Sequence, residues 1–338
     1  MYAAPVGEDG SALVPTVGNE TQLMAADKGS WGKPAYAPLF ILKQPRTGSS
    51  WLGNHLKDLG SYYAVSIEAN DAATKKYGNH FHDNHGHDNQ HALHAYCEEV
   101  TDHVMSVLMG ATSRDHFTML SNKDAPWGAV GLFPFNGGDL NLKQNGKVDW
   151  RCLAKIEKRI KRSIKKGEMV APRLVVLTRR NVVSQGLSSA KAKDMEAKHK
   201  CSHPYTERDD ECTERFWYKW KQDPADLLDL VQEKVNEAQG LRVVAQRLKK
   251  SWGLHSVNYV QFEDMLNQAE GHGLALTHQL TKLIGAKHEN GATAKKDRLN
   301  KVAKHRGMSP REQLKNYREV LAYFEENAPW SWVHDLKA

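Results

Sequence analysis

Short apolar runs alternate with amphipathic stretches along most of the chain. The runs APLFILKQ (37–44), SYYAVSIEA (61–69), WGAVGLFPF (127–135), RLVVLT (173–178) and SVNYVQFEDML (256–266) predict strands, the last passing into a helix. Helical spacing predicts helices over 51–60, 91–110, 149–167, 213–250, 274–284 and 309–327, with another directly after RLVVLT. Strands that alternate with helices favour an α/β fold, with a mostly parallel sheet flanked by helices.

The first 36 residues differ from the rest. They are rich in Gly, Ala, Pro and polar residues without periodicity, which predicts a flexible N-terminal leader before one domain over 37–335. The chain has no run of eighteen apolar residues and no basic start followed by an apolar stretch, so we expect neither a membrane segment nor a signal peptide. A cytoplasmic protein is expected, or a domain whose membrane anchor has been removed.

The charge balance allows two interpretations. There are 47 basic and 40 acidic residues, for a net charge of +7. The surface is either simply solvated and slightly basic, or it attracts an anion such as a polyphosphate cofactor, an acidic glycan or nucleic acid. The basic helix over 149–167 carries Leu153, Ile156, Ile160 and Ile164 on one stripe, which predicts a surface helix.

Four cysteines leave the redox compartment open. Cys201 and Cys212 enclose a short polar segment and would be able to pair in an oxidising compartment. Cys97 and Cys152 have the pattern of ordinary buried thiols, and in a cytosolic protein all four would be reduced.

The turn after the first strand carries anion-binding chemistry. In PRTGSSW (45–51), Gly48 lets the backbone approach a phosphate, successive N–H groups at a helix start face the anion, and Arg46 adds charge. Hydroxyl donors come from Thr47, Ser49 and Ser50. The Gly-Lys-Ser/Thr ending of a Walker loop is absent, and a simple helix cap is the alternative.

A second basic turn follows RLVVLT. Arg179, Arg180 and Asn181 come directly after this strand, and Ser188 lies eight residues beyond Arg180. An arginine at the carboxyl end of a strand and a serine two helical turns later are able to face one phosphate. The alternative is an exposed arginine pair followed by a polar helix face.

Together the two turns resemble those of the sulfotransferases that use 3′-phosphoadenosine 5′-phosphosulfate (PAPS). LFILKQPRTGSSWL is similar to their 5′-phosphosulfate loop, and LVVLTRRNVVSQGLSS to their 3′-phosphate strand, turn and helix. NYVQFEDML and KVAKHRGMSPREQLKNYREV resemble later segments, the latter of the bacterial and Golgi-type carbohydrate branch rather than the cytosolic aryl and steroid branch. The resemblance implies a P-loop-NTPase-like sheet in a single domain, and it makes the luminal part of a Golgi-type enzyme the alternative to a cytoplasmic location.

The resemblance also implies site residues. It places the 3′-phosphate on Arg180 and Ser188, and Lys304, His305 and Arg306 would close over the nucleotide. Many cytosolic members have lysine at the position of Arg46. The arginine keeps the positive charge but cannot donate a proton. The 5′-phosphate and the sulfuryl group would lie on Arg46, Thr47, Gly48, Ser49, Ser50 and Trp51.

Sulfuryl transfer requires a base for the acceptor's proton. Glu68 ends the second predicted strand, and its position resembles that of the glutamate base in the carbohydrate branch. An exposed strand-end carboxylate is the alternative for Glu68. The rival bases are His80, His82, His85 and His116.

The predicted function is therefore transfer of a sulfuryl group from PAPS to a hydroxyl or amine of a sugar or polar metabolite, releasing 3′,5′-ADP without a metal. Neither a nucleic-acid partner nor a membrane segment is expected. The alternatives are a small-molecule or nucleoside kinase, disfavoured by the missing loop lysine, and a basic module that binds anions or nucleic acid.

Overall fold

The computed structural model describes residues 38–49, 52, 63–69, 73, 76, 90–109, 128–132, 150–199, 219–264 and 309–337. All of them fall within one of two compact units, Tyr36–Ala338. The other unit, Met1–Ala35, and the predicted leader lie outside the described residues.

A parallel sheet organises these residues, as the alternating pattern predicted. Its five strands lie in the order β2-β3-β1-β4-β5, and each neighbouring pair is parallel. The carboxyl ends of the strands therefore meet at one edge of the sheet. The strands are β1 (Leu39–Lys43), β2 (Tyr63–Glu68), β3 (Gly128–Leu132), β4 (Arg173–Thr178) and β5 (Asn258–Gln261).

The described helices flank this sheet, and those predicted over 91–110, over 149–167 and after RLVVLT lie close to the predicted positions. Two helices replace the one predicted over 309–327, the helix over 330–337 was not predicted, and the helices predicted over 51–60 and 274–284 lie almost entirely outside the described residues. A single long helix covers most of 213–250, where several were expected. It begins at Pro224 after an Asp223 side-chain cap and ends at Gly253, whose φ is 67°. The described helices are α1 (Gln90–Leu108), α2 (Trp150–Lys165), α3 (Val182–His199), α4 (Pro224–Trp252), α5 (Pro310–Gln313), α6 (Tyr317–Asn327) and α7 (Trp330–Lys337).

Alternation along the central strand divides its side chains between the two faces of the sheet. Phe40 and Leu42 pack in one core with α1, α2 and the second half of α4, where the Phe40 ring lies edge-on to Trp252 at 5.3 Å. Lys43 belongs to the other set because side chains alternate along a strand. This lysine is nevertheless only 3% exposed, so a cation is buried at the carboxyl end of β1.

The prediction of reduced cysteines is wrong for one pair. Cys97 on α1 is joined to Cys152 on α2 by a disulfide. The two helices lie side by side, and ion pairs continue the contact from Glu98 to Lys155 (2.6 Å) and from Asp102 to Arg159. The register of two helices distant in the chain decides this pairing, and sequence spacing does not reveal it. Cys201 and Cys212 lie outside the described residues.

Within the described part of the chain, no helix combines the length and the apolar character needed to cross a bilayer.

Candidate functional site

The two basic turns lie side by side at the carboxyl edge of the sheet. β1 and β4 are neighbours with Lys43 opposite Leu177, so residues 44–49 and 179–181 leave the sheet at adjacent points. After β1 the chain crosses to the β2 side, whereas after β4 it proceeds to β5 on the other side. The chain therefore diverges between these strands, and such a switch point opens the crevice where α/β sheets bind ligands.

The turn after β1 has an uncommon backbone. Arg46 has a φ of 63° and Gly48 a φ of 75°, so two of three successive residues are left-handed. Glycine adopts this conformation without a steric cost, but arginine does not. Leu52 N donates to Gly48 O at 3.0 Å, so a helical turn begins at this point. The conformation brings the loop onto a helix start, as the sequence predicted.

The hydroxyls of the loop have different roles. Thr47 is fully buried and its Oγ1 donates to Gln44 O at 2.8 Å, so the Thr47 hydroxyl proton is used within the loop. Ser49 is half-buried, and its Oγ accepts a hydrogen bond of 3.0 Å from Lys43 Nζ.

Two buried glutamines hold the loop from behind. Gln44 Nε2 donates to Lys234 O (2.8 Å) and to Glu237 Oε2 (3.3 Å) on α4, while Gln185 Nε2 on α3 donates to Pro45 O at 2.8 Å. Burial raises the pKa of Glu237, although the neighbouring Lys234 ammonium opposes that shift. These contacts fix the loop between α3 and α4 by groups that belong to the chain itself.

The turn after β4 is held by a carboxylate at the end of β5. Glu263 accepts from the backbone N–H of Arg180 (2.9 Å) and from that of Asn181 (3.1 Å). Arg179 Nε lies 3.7 Å from the same carboxylate. The Asn181 side chain accepts from Ser184 N at 2.7 Å and so caps α3. Residues 262–264 begin the helix predicted after β5, and the Glu263 carboxylate there also lies at the N-terminus of α3.

The Arg180 side chain is oriented and exposed. Its Nε donates to Gln261 Oε1 at 2.7 Å and its Nη2 lies 3.3 Å from Asp264 Oδ1. The side chain remains 64% exposed. Within the described residues, Nη1 has no hydrogen-bond partner, so this edge of the guanidinium faces outward with donors that an anion would accept.

Ser188 and its neighbours lie further along α3. Ser188 is half-buried, and Ser189 Oγ is buried without a hydrogen-bond partner among the described residues. Lys191 lies one turn beyond, with its Nζ 5.0 Å from the centre of the Trp220 ring. Burial lowers the pKa of Lys191 to about 8.

Glu68 ends β2, as predicted. Its backbone pairs with Gly131 of β3 after a shift in register, and Ala69 N donates to Gly131 O at 2.9 Å. Glu68 is thus on the same sheet edge as the two basic turns, with β3 between β2 and β1. Its part as a base stays a prediction.

Several predicted residues lie outside the described residues, and their parts stay predictions. Among the residues expected to bind the cofactor, these are Ser50, Trp51, Lys304, His305 and Arg306. Among the rival bases they are His80, His82, His85 and His116.

Sequence reasoning missed the residues that support the site. Lys43 ends an apolar run, and a lysine just before an anion-binding turn is a usable signal. Gln185 and Glu263 act on turns that are distant in sequence, and only the packing of α3 and β5 brings them there.

Comparison with known proteins adds no relative. No protein-family model, curated protein or solved structure matches this chain.

Proposed function

We propose that this chain is a sulfotransferase that moves the sulfuryl group of PAPS to an acceptor hydroxyl or amine, on a P-loop-NTPase-like sheet. One observation carries the proposal: two basic turns leave adjacent strands at the switch point of a parallel sheet. PAPS has anionic groups at both ends of its ribose, and two neighbouring basic turns match that distribution of charge. The resemblance of both turns to those of PAPS-dependent enzymes supports the same function.

Each turn has a part in binding the donor. Arg46 and the helix start after Gly48 would take the 5′-phosphosulfate, since backbone N–H groups and a guanidinium both favour an anion. Arg180 would take the 3′-phosphate through its outward edge, which its contacts with Gln261 and Asp264 hold in orientation. Ser188 would add a hydroxyl.

The transfer itself balances as follows. The acceptor oxygen or nitrogen forms a bond to sulfur, and the bond from sulfur to the 5′-phosphate oxygen breaks. That oxygen keeps the electron pair and leaves as part of 3′,5′-ADP. The acceptor's proton passes to a base, for which Glu68 is the first candidate. Arg46 would stabilise the charge on the leaving oxygen without giving up a proton.

The acceptor class is inferred from the resemblance, and the compartment from one disulfide. The resemblance to the carbohydrate branch favours a hydroxyl of a sugar or polar metabolite. The bond between Cys97 and Cys152 supports an oxidising compartment, because disulfides persist there and are rare in the cytosol. It therefore supports the luminal location over the cytoplasmic one.

A small-molecule kinase is the second candidate, because one observation now favours it. The missing loop lysine counted against phosphoryl transfer, but Lys43 Nζ lies 3.0 Å from Ser49 Oγ in the loop. A cation from the preceding strand thus partly replaces the one that a Walker loop would carry.

One titration distinguishes the candidates. Calorimetry with 3′,5′-ADP and with ATP, each with and without Mg²⁺, should show 3′,5′-ADP bound more tightly and independently of the metal. Tighter ATP binding that requires Mg²⁺ would favour the kinase instead. Binding of neither nucleotide, together with salt-sensitive binding of a polyanion, would favour a basic binding module.

A further inference from the structure

A lysine is buried directly beneath the candidate anion-binding loop. Lys43 is the last residue of β1, is 3% exposed, and donates from Nζ to Ser49 Oγ at 3.0 Å. Lysines are almost never fully buried, because removing an ammonium from water is costly. Lys43 lies at the end of the central strand and contacts the loop. Strand formation does not require a lysine at this position.

The neighbouring strand leaves room for the Lys43 side chain. A Cβ added to Gly131 on β3 would lie 3.2 Å from Lys43 Cε and 3.5 Å from Cδ. The first distance is shorter than an ordinary van der Waals contact between carbon atoms. The aliphatic part of Lys43 therefore crosses β3 at a glycine, and an alanine there would require the Lys43 side chain to shift by a few tenths of an ångström.

The contact with Lys43 decides how Ser49 is able to act. An ammonium has only donors, so Ser49 Oγ must be the acceptor in this hydrogen bond. The one proton of the Ser49 hydroxyl is then directed to another acceptor. A cation that binds the oxygen also polarises the O–H group, which makes it a stronger donor.

We propose that Lys43 is a positioning residue for sulfuryl transfer that acts through Ser49, an inference that rests on the function proposed above. Lys43 fixes the Ser49 oxygen as an acceptor and directs the Ser49 hydroxyl proton to the phosphosulfate, where negative charge develops as the bond to sulfur breaks. Lys43 keeps its own proton throughout and forms no covalent bond. Arg46 and Lys43 are thus two cations with separate parts.

The test is a double-mutant cycle with Lys43→Met, Ser49→Ala and the double variant. Each single variant should lower kcat with saturating PAPS by about 10-fold to 100-fold. Because Lys43 acts through Ser49, the kcat of the double variant should equal that of Ser49→Ala alone, within about threefold. Because Ser49 is also expected to contact the 5′-phosphate, affinity for 3′,5′-ADP is compared for Lys43→Met alone. It should fall by less than kcat does, and the melting temperature should stay near that of the parent.

Two further variants sharpen the test. Gly131→Ala keeps the charge of Lys43 but shifts its side chain slightly, so it should lower kcat by less than Lys43→Met does. Lys158→Met removes an exposed lysine on α2, away from the loop, and should leave kcat unchanged. Losses that multiply in the double variant would overturn the action through Ser49. If 3′,5′-ADP affinity falls by as large a factor as kcat, and the melting temperature also falls, Lys43 has a merely structural part.

The same cycle on binding of inorganic pyrophosphate separates this inference from the proposed function. If the parent transfers no sulfuryl group but the coupling between Lys43 and Ser49 appears in pyrophosphate affinity, the sulfotransferase proposal fails and the coupling stands. If that coupling is absent from both turnover and anion binding, the part of Lys43 is refuted whatever the reaction.

Discussion

Arg46 combines a strained backbone with a side chain proposed to act in transfer, and substitutions can separate the two. Its φ of 63° costs a residue with a Cβ about 1–2 kcal/mol. Glycine escapes that cost but loses about 0.5–1 kcal/mol more than alanine in chain entropy on folding. The difference favours Arg46→Gly over Arg46→Ala by roughly 0.5–1 kcal/mol in the free energy of unfolding.

The two variants should therefore differ in stability but not in turnover. Both lose the guanidinium, so kcat with saturating PAPS should fall about 10²-fold or more in each. Arg46→Lys keeps a positive charge and should retain part of the activity. Arg46→Gly should melt about 1–3 °C above Arg46→Ala, measured by calorimetry or circular dichroism.

Gly167 provides a matched control for the backbone effect. It also has a left-handed φ, of 71°, and an added Cβ would meet no atom within 4 Å. Gly167→Ala thus measures the cost of a Cβ in this conformation away from the site. If Arg46→Gly and Arg46→Ala melt together while Gly167→Ala is destabilised, residue 46 does not need a left-handed backbone. Normal turnover by Arg46→Ala would remove Arg46 from the reaction.

Three other predictions concern single residues. Arg180→Ala should weaken 3′,5′-ADP binding by about 1.5–3 kcal/mol in calorimetry and leave 5′-AMP binding nearly unchanged; equal losses would refute the 3′-phosphate contact. Glu68→Gln should lower kcat by about 10²–10⁴-fold with unchanged 3′,5′-ADP affinity and melting temperature, and full activity would exclude it as the base. Burial lowers the pKa of Lys191 from 10.5 to about 8, so the stability of the parent relative to Lys191→Met should rise by about 1–3 kcal/mol between pH 7 and 10.5, as urea unfolding would detect.

Controls accompany two of these predictions. The base assignment needs alanine variants at the rival histidines, because loss of turnover in one of them with an active Glu68→Gln would move the base there. Those positions are His80, His82, His85 and His116. For Lys191, above pH 8 the unfolded chain holds a proton that the folded chain has released. The free energy of unfolding therefore rises with pH in this range. A difference between parent and variant that stays flat with pH would contradict the lowered pKa.

Local patterns predicted the strands and the two turns, because each depends on residues close together in the chain. RLVVLT became β4 from Arg173 to Thr178 with the predicted ends, since its apolar run is bounded by Pro172 and by the basic turn. The left-handed Arg46 was not predictable in this way. Nothing in residue type favours arginine there, and the conformation depends on the anchoring of the loop by Gln44 and Gln185.

Contacts between distant residues account for what the sequence did not reveal. The disulfide of Cys97 with Cys152 needs the register of α1 against α2, and the partners of Arg180 come from a strand more than eighty residues later. The stripe on α2 shows the same limit on a smaller scale. The stripe packs as expected, with Ile164 half-buried against the same core, but Ser163 is buried as well, and its Oγ lies 3.0 Å from Glu168 Oε2.

The two turns are held by different chemistry, which leads to different consequences for ligand binding. The side-chain amides of Gln44 and Gln185 anchor the loop after β1. At the turn after β4, Glu263 already binds the backbone N–H groups of Arg180 and Asn181, so the proposed phosphate would be bound through the outward edge of the Arg180 guanidinium. Both turns are oriented before a ligand arrives, and little reorganisation would be needed on binding. The negative charge of Glu263 and Asp264 beside Arg180 also lowers the attraction of this turn for any anion that cannot use that edge, which favours a nucleotide held at both ends over a free phosphate.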